Sequence, residues 1–216
     1  IERFDRFLAN RQPTLGRQDL VEASRRLVFG TIKAFALPLL LLAAMPFANI
    51  DEAVTTLVRE PDQASPGLAW LTFFAATTTT YLNFSGYTDI ALGSARLLGF
   101  RICENFNSPF LATSLANFWQ RWHISLGEWC RTYVFFPMAR LTRNAAAAAL
   151  LSFIAIGLWH QGTLQWLCFG LWHGVGIVTE NLYPGRFRYV EELQRLGGAG
   201  RGCASGMCCG RPSALR

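Results

Sequence analysis

The chain has 216 residues, 51% of them apolar, 13% aromatic and only 16% charged, against about 25% charged residues in an ordinary soluble domain. Its net charge of +6 is not carried on a polar face with interleaved aromatics, which sets nucleic acid aside as a partner. Charges gather in 1–26 and 184–216 with long apolar runs between them, the pattern of an all-α, polytopic transmembrane protein embedded in a lipid bilayer. The Lys/Arg excess then belongs to short cytoplasmic loops.

Residue 1 is isoleucine rather than a start methionine, and Glu2, Arg3, Asp5 and Arg6 precede any apolar stretch. The chain is therefore expected to be the interior of a longer protein, with an N-terminal portion missing. Residues 1–26 read as an amphipathic basic segment on the cytoplasmic side, with Phe4, Phe7 and Leu8 on one helical face. A first apolar span follows over 27–47, long enough for a hydrocarbon core that takes about 20 residues. Lys33, inside its start, reads as an anchor that snorkels to the interface, and Pro38 and Pro46 as kinks or ends. Residues 49–67, with Asp51, Glu52, Arg59, Glu60, Asp62 and two prolines, predict an extramembrane loop. A second span starts near Leu68 and runs into the threonines 77–80, whose hydroxyls can bond back to helix carbonyls.

Asn83, Ser85, Gly86, Tyr87, Thr88 and Asp89 then crowd together, a cluster that cannot face lipid. If the helix continues through 90–98, Asp89 and Arg96 share one face and bracket a polar passage; the alternative is that Asp89 caps a helix beginning at Ile90. Gly86 and Gly93 suit close helix contact. Residues 100–109 form a break. Next comes a predicted amphipathic, interfacial helix with Trp119, Trp122, Leu126 and Trp129 as its apolar stripe and Arg121, Ser125, Glu128 and Thr132 as its polar one. His123 falls on the shoulder of the apolar stripe and by spacing alone is a packed histidine.

Residues 134–143 read as a basic loop. The apolar run from Ala145 is short for a full crossing, so either it joins 163–183 or His160 sits at a helix break below the surface. Gly157 and Gly162 flank that histidine and suggest irregular backbone around a polar group, tolerated at membrane depth in a protein-lined cavity. His173 reads as a helix-packing residue, not as a partner of His160. Cys103, Cys130 and Cys168 read as small hydrophobes, and no metal site is expected. Residues 1–183 make one membrane domain, and 184–216, rich in Gly, Arg and Cys, read as a disordered tail.

Four segments, NFSGYTDIA (83–91), ENFNSPF (104–110), FWQRWHISL (118–126) and GLWH (157–160), together resemble the membrane-bound O-acyltransferase family. The likeness is to the bacterial branch that includes alginate O-acetylation proteins and the D-alanyl transfer protein of teichoic acids. It implies a ring of transmembrane helices around a thin central layer, with interfacial and re-entrant helices and a tunnel where two histidines sit. The family's catalytic histidine falls on His160 and its second histidine on His123. The chemistry agrees: acyl transfer from a thioester to a hydroxyl needs a base that titrates near neutrality and a donor that steadies the oxyanion.

The resemblance further implies Asp89, Asn105 and Arg121 as supports that shape the passage, with Trp159 beside His160. No bound cofactor is expected. The co-substrate would be an acyl thioester, acetyl-CoA or an acyl carrier protein, and the partner an extracytoplasmic acetyltransferase. The place would be the bacterial cytoplasmic (inner) membrane, crossed several times. Gln161 and Thr132 stand where the branch usually has glycine and aspartate, so the loop geometry near the site is expected to differ. Two alternatives stay open: a polytopic channel or transporter, and a truncated relative without turnover.

Overall fold

The computed structural model describes residues 15–47, 49–59 and 65–182. Among them the chain is helical throughout and forms no strand, apart from one isolated antiparallel bridge between Phe106 and Trp122. The expected surface helix over 1–14 and the tail over 184–216 lie outside the described residues. Two compact units divide the chain, within Ile1–Ile102 and Cys103–Arg216.

In the first unit, α1 is one helix over Arg17–Ala43. Residues 17–26 are therefore its opening turns and not a separate surface segment. A π-helical turn over Ile32–Ala36 lies just ahead of Pro38. The proline has no N–H to give the carbonyl four residues back and its ring crowds that carbonyl, so the widened turn accommodates it without ending the helix. α2 spans Ile50–Arg59, inside the stretch expected to be a loop. Asn49 makes it possible, since its Oδ1 accepts the Glu52 N–H at 2.8 Å and Asp51 and Glu52 sit in the positive first turn.

α3 runs unbroken over Pro66–Leu97, about 48 Å at 1.5 Å per residue. Ser65 caps its start, accepting the Leu68 N–H at 3.1 Å, with Pro66 at the first position. Gly99, at φ 83°, ends it: Phe100 N–H reaches Ala95 O and Gly99 N–H reaches Arg96 O, the paired bonds of a left-handed helix stop. The idea that a helix begins at Ile90 under an Asp89 cap is thus replaced by a mid-helix Asp89. Within the threonine run Thr80 does bond back, to Ala76 O at 2.8 Å, while Thr79 Oγ1 is buried without a partner.

α1 and α3 pack antiparallel through small residues. A Cβ on Gly86 would stand 2.5 Å from Ala34 N and 2.7 Å from Gly30 O, and one on Gly93 would stand 2.9 Å from Ala23 O. Ion pairs run along the same seam. Asp89 takes Arg26 on one oxygen at 2.9 Å and Lys33 on the other at 2.7 Å. Lys33 therefore has a fixed partner within the protein: the two cations, seven residues apart on α1, face one carboxylate. Toward the other end Asp19 takes Arg101 at 3.2 Å and lies 4.0 Å from Arg96, so Asp89 and Arg96 each turn to α1 instead of bracketing a passage. Gly86→Ala is expected to part the helices and cost about 1–3 kcal/mol, read as a lowered melting temperature in detergent. Gly67→Ala, where the new Cβ would meet only Ser65 Oγ at 3.8 Å, should be close to neutral.

The second unit holds a 3-10 turn over Pro109–Leu111, α4 over Leu115–Trp119, α5 over 124–142, α6 over Ala145–His160 and α7 over Leu164–Leu182. α5 contains a π-helical turn at Arg131–Phe135 placed just before Pro137, as in α1; its last part turns the expected basic loop into helix. Arg143, at φ 53°, stops it, and Asn144 Oδ1 then caps α6 by accepting the Ala146 and Ala147 N–H groups. α6 and α7 form an antiparallel hairpin. Added Cβ atoms on Gly157 and Gly170 would run into the Trp166 and Phe153 carbonyls respectively, so these glycines set how closely the two helices approach.

Arg17–Ala43 is, among the described residues, the one helix long and apolar enough to cross a membrane by itself, and Ala145–His160 is apolar but shorter. Large apolar side chains remain exposed on both units, including Trp70 at 63%, Leu164 at 74% and Trp172 at 79%.

Candidate active site

The predicted single helix through the tryptophan motif is interrupted at its centre. α4 ends at Trp119, and His123 adopts φ 48° and ψ 55° before α5 begins at Ile124. The backbone polar groups freed by this break are satisfied from far up the chain. Ile124 N–H donates to Asn105 O at 3.0 Å, Asn107 N–H donates to Arg121 O at 2.9 Å, and Phe106 bridges Trp122 between them. Two of the sequence motifs, ENFNSPF and FWQRWHISL, are thus one folded object.

Asn105 and Arg121 hold that object together. Asn105 Oδ1 accepts both the Ser125 N–H at 3.0 Å and the Ser125 hydroxyl at 2.9 Å, which caps the first turn of α5 from a distant segment. Arg121 Nε donates to Asn117 Oδ1 at 2.9 Å and its terminal nitrogen to Asn107 O at 3.2 Å. Asn117 and Glu180 were not singled out from sequence. Glu180, on α7, accepts the Ala116 N–H at 3.1 Å and so ties the start of α4 to the end of α7.

His123 and Ser108 are both non-glycine residues in the left-handed region, a conformation that costs of order 1 kcal/mol and tends to persist where surroundings over-determine it, often at functional sites. The His123 ring, in the turn between α4 and α5, is held below the ordinary histidine pKa by burial and, second, by the charge of His160. His123 is therefore neutral at pH 7. Burial pushes the Cys130 thiol on α5 up to about 11, which leaves it protonated and inert.

His160 is the last residue of α6, exposed, with Gly162 at φ 64° turning the chain into α7. The helix break is the outcome realised out of the two sequence options. Its imidazole lies flat against Trp166, with ring centroids 4.2 Å apart and 13° between planes, and touches Trp159 edge-on at 5.0 Å. Trp159 itself is 65% exposed. Trp166 donates its Nε1–H to Gln161 Oε1 at 3.1 Å. From Trp166 a chain of ring contacts passes through Phe169, His173, Trp119 and Phe118 to Trp122 and Phe106, joining the GLWH motif to the bridged pair. His173 packs among Trp119, Phe153 and Phe169 as expected, and its Nδ1 is buried without a partner.

Of the sequence-predicted residues, His123, His160, Asn105, Arg121 and Trp159 all belong to the second unit, while Asp89 belongs to the first and is occupied by Arg26 and Lys33. The spacing of Arg26 and Lys33 on one face of an apolar helix was the available signal for that pairing. Nothing in the sequence marks Trp166, since an indole in an apolar helix is ordinarily packing.

An all-helical chain with one helix long and apolar enough to cross a membrane, and with ion pairs set between apolar helices, fits the class of membrane proteins. Residues 1–201 match the model of the membrane-bound O-acyltransferase family, and the chain belongs to that family. Similar proteins include the "probable alginate O-acetylase AlgI" of Pseudomonas putida, 38% identical over 133 residues that cover 58% of this chain and 27% of that protein. The teichoic acid D-alanyltransferase of Bacillus subtilis is 34% identical over 48% of this chain and 29% of its own length. The peptidoglycan O-acetyltransferase of Helicobacter pylori is 31% identical over 53% and 22%. In each case the match spans less than a third of the relative's length.

Proposed function

We propose that this chain carries the histidine centre of a membrane O-acyltransferase that moves an acetyl or other short acyl group from a cytoplasmic thioester towards hydroxyls of an exported polysaccharide. The observation that carries the reading is that the ENFNSPF and FWQRWHISL segments close into one object around His123, and a row of ring contacts joins that object to the His160–Trp166 stack. Its relatives support the class of chemistry, since by name they are a probable alginate O-acetylase, a teichoic acid D-alanyltransferase and a peptidoglycan O-acetyltransferase.

His160 acts as the general base. As it takes the acceptor's hydroxyl proton the oxygen attacks the thioester carbonyl, the C–S bond breaks, and the thiolate leaves and is reprotonated by the imidazolium. His123, neutral and fixed by its backbone turn, orients the donor or the oxyanion. Asn105 and Arg121 hold His123's turn, Trp159 flanks the base, and Asp89 locks α1 to α3 in the first unit. The donor is acetyl-CoA or an acyl carrier protein, with no resident cofactor. In the complete protein these helices belong to a multi-pass ring, with interfacial and re-entrant segments, in the bacterial cytoplasmic membrane, and an extracytoplasmic acetyltransferase finishes the transfer. Membranes carrying the whole protein together with that acetyltransferase should move label from an acyl thioester to polymer hydroxyls. Solute flux that needs no donor, with no labelled polymer, would replace this reading by a channel.

A further inference from the structure

A base that works by taking a proton becomes a cation, and most histidine bases are oriented and balanced by a carboxylate on the far ring nitrogen. His160 has none: among the described residues no side chain hydrogen-bonds its ring. What covers it is the Trp166 indole, parallel at 13° and 4.2 Å, itself pinned by the Nε1–H bond to Gln161 Oε1 at 3.1 Å. Trp166 is placed for this by the close α6–α7 approach, where a Cβ on Gly157 would run into the Trp166 carbonyl.

We propose that Trp166 is the positioning residue for His160, its indole face fixing the plane of the imidazole and stabilising the imidazolium formed during transfer in place of a carboxylate. The proposal rests on the reading of His160 as base. An indole face suits the role physically. Its negative quadrupole attracts a cation held over it and does so more when water is excluded, and it adds no charge that would itself need solvation in an apolar setting. Gln161, one residue after the histidine, keeps the indole from rotating away. Phenylalanine at 166 would keep a weaker version of the face, and leucine would fill space with no quadrupole at all.

The test uses the complete membrane-embedded protein with Trp166→Leu and Trp166→Phe, matched for folded amount. Trp166→Leu is expected to lower the single-turnover rate about five- to thirtyfold with KM for the thioester unchanged, and Trp166→Phe to stay within about threefold of the native rate. Histidine-labelled protein gives a reading independent of turnover: the His160 ring-proton resonances, shifted upfield by the indole, should move downfield in Trp166→Leu. Equal rates in the leucine and phenylalanine variants, or a loss confined to KM or to folded amount, would overturn the proposal. So would His160 resonances that do not move. If His160→Ala keeps transfer while the resonances move as expected, the stack stands and the base assignment falls.

Discussion

Replacing His160 with alanine is expected to lower acyl transfer by about 10²- to 10⁴-fold, the usual contribution of a positioned general base. A sugar hydroxyl stays protonated at neutral pH, so without an acceptor for its proton the attack on the thioester carbonyl has to pass through a far less stable oxonium. His160 is the candidate because it stands exposed at a helix end beside a glycine turn, and not sealed among other side chains. His173 supplies the contrast. It lies one helix away among Trp119, Phe153 and Phe169 with Nδ1 unpaired. An unpaired buried polar atom costs stability, and an apolar ring of similar shape avoids that cost. His173→Phe should therefore hold or raise the melting temperature and keep transfer per folded molecule. A His160→Ala protein that turns over at the native rate would remove this histidine from the mechanism.

Asp89→Ala should act through folding. The carboxylate takes Arg26 and Lys33 together, at 2.9 and 2.7 Å, with all three side chains between 20% and 28% exposed. Removing it takes the ion-pair partner from Lys33, while Arg26 keeps Glu22 at 2.9 Å. Breaking a fully buried pair from one side costs about 3–5 kcal/mol. With roughly a quarter of each side chain still exposed, about 2–4 kcal/mol is expected here, seen as a lower melting temperature in detergent. Lys33→Met combined with Asp89→Leu should recover much of that loss, because both charges go at once and their volume stays. A folded Asp89→Ala protein with native stability but slowed transfer would instead make Asp89 part of the acyl passage.

The tryptophan motif marks how far residue patterns reached. Trp119, Trp122, Leu126 and Trp129 have helical spacing, yet the helix stops at Trp119 and restarts at Ile124. The spacing could not reveal this, since the hydrogen bonds that make the stop stable come from Asn105 and Asn107. A similar argument holds at Asp89. Its position favoured a cap and a mid-helix site about equally, and the choice was made by two cations on another helix.

What the amino-acid sequence determined by itself is the all-helical, membrane class and the family resemblance of its four motifs, because composition and motif chemistry are properties of short stretches; at GLWH it offered a break and a continuous helix side by side. The tertiary structure alone decided that His123 sits in a left-handed turn closed by Asn105 and Asn107, that Asp89 is taken by Arg26 and Lys33, and that Trp166 lies on the His160 imidazole. Each of these depends on groups from separate helices meeting within a few ångströms, and that distance is set by how glycines let backbones approach, not by the local pattern on any one of them.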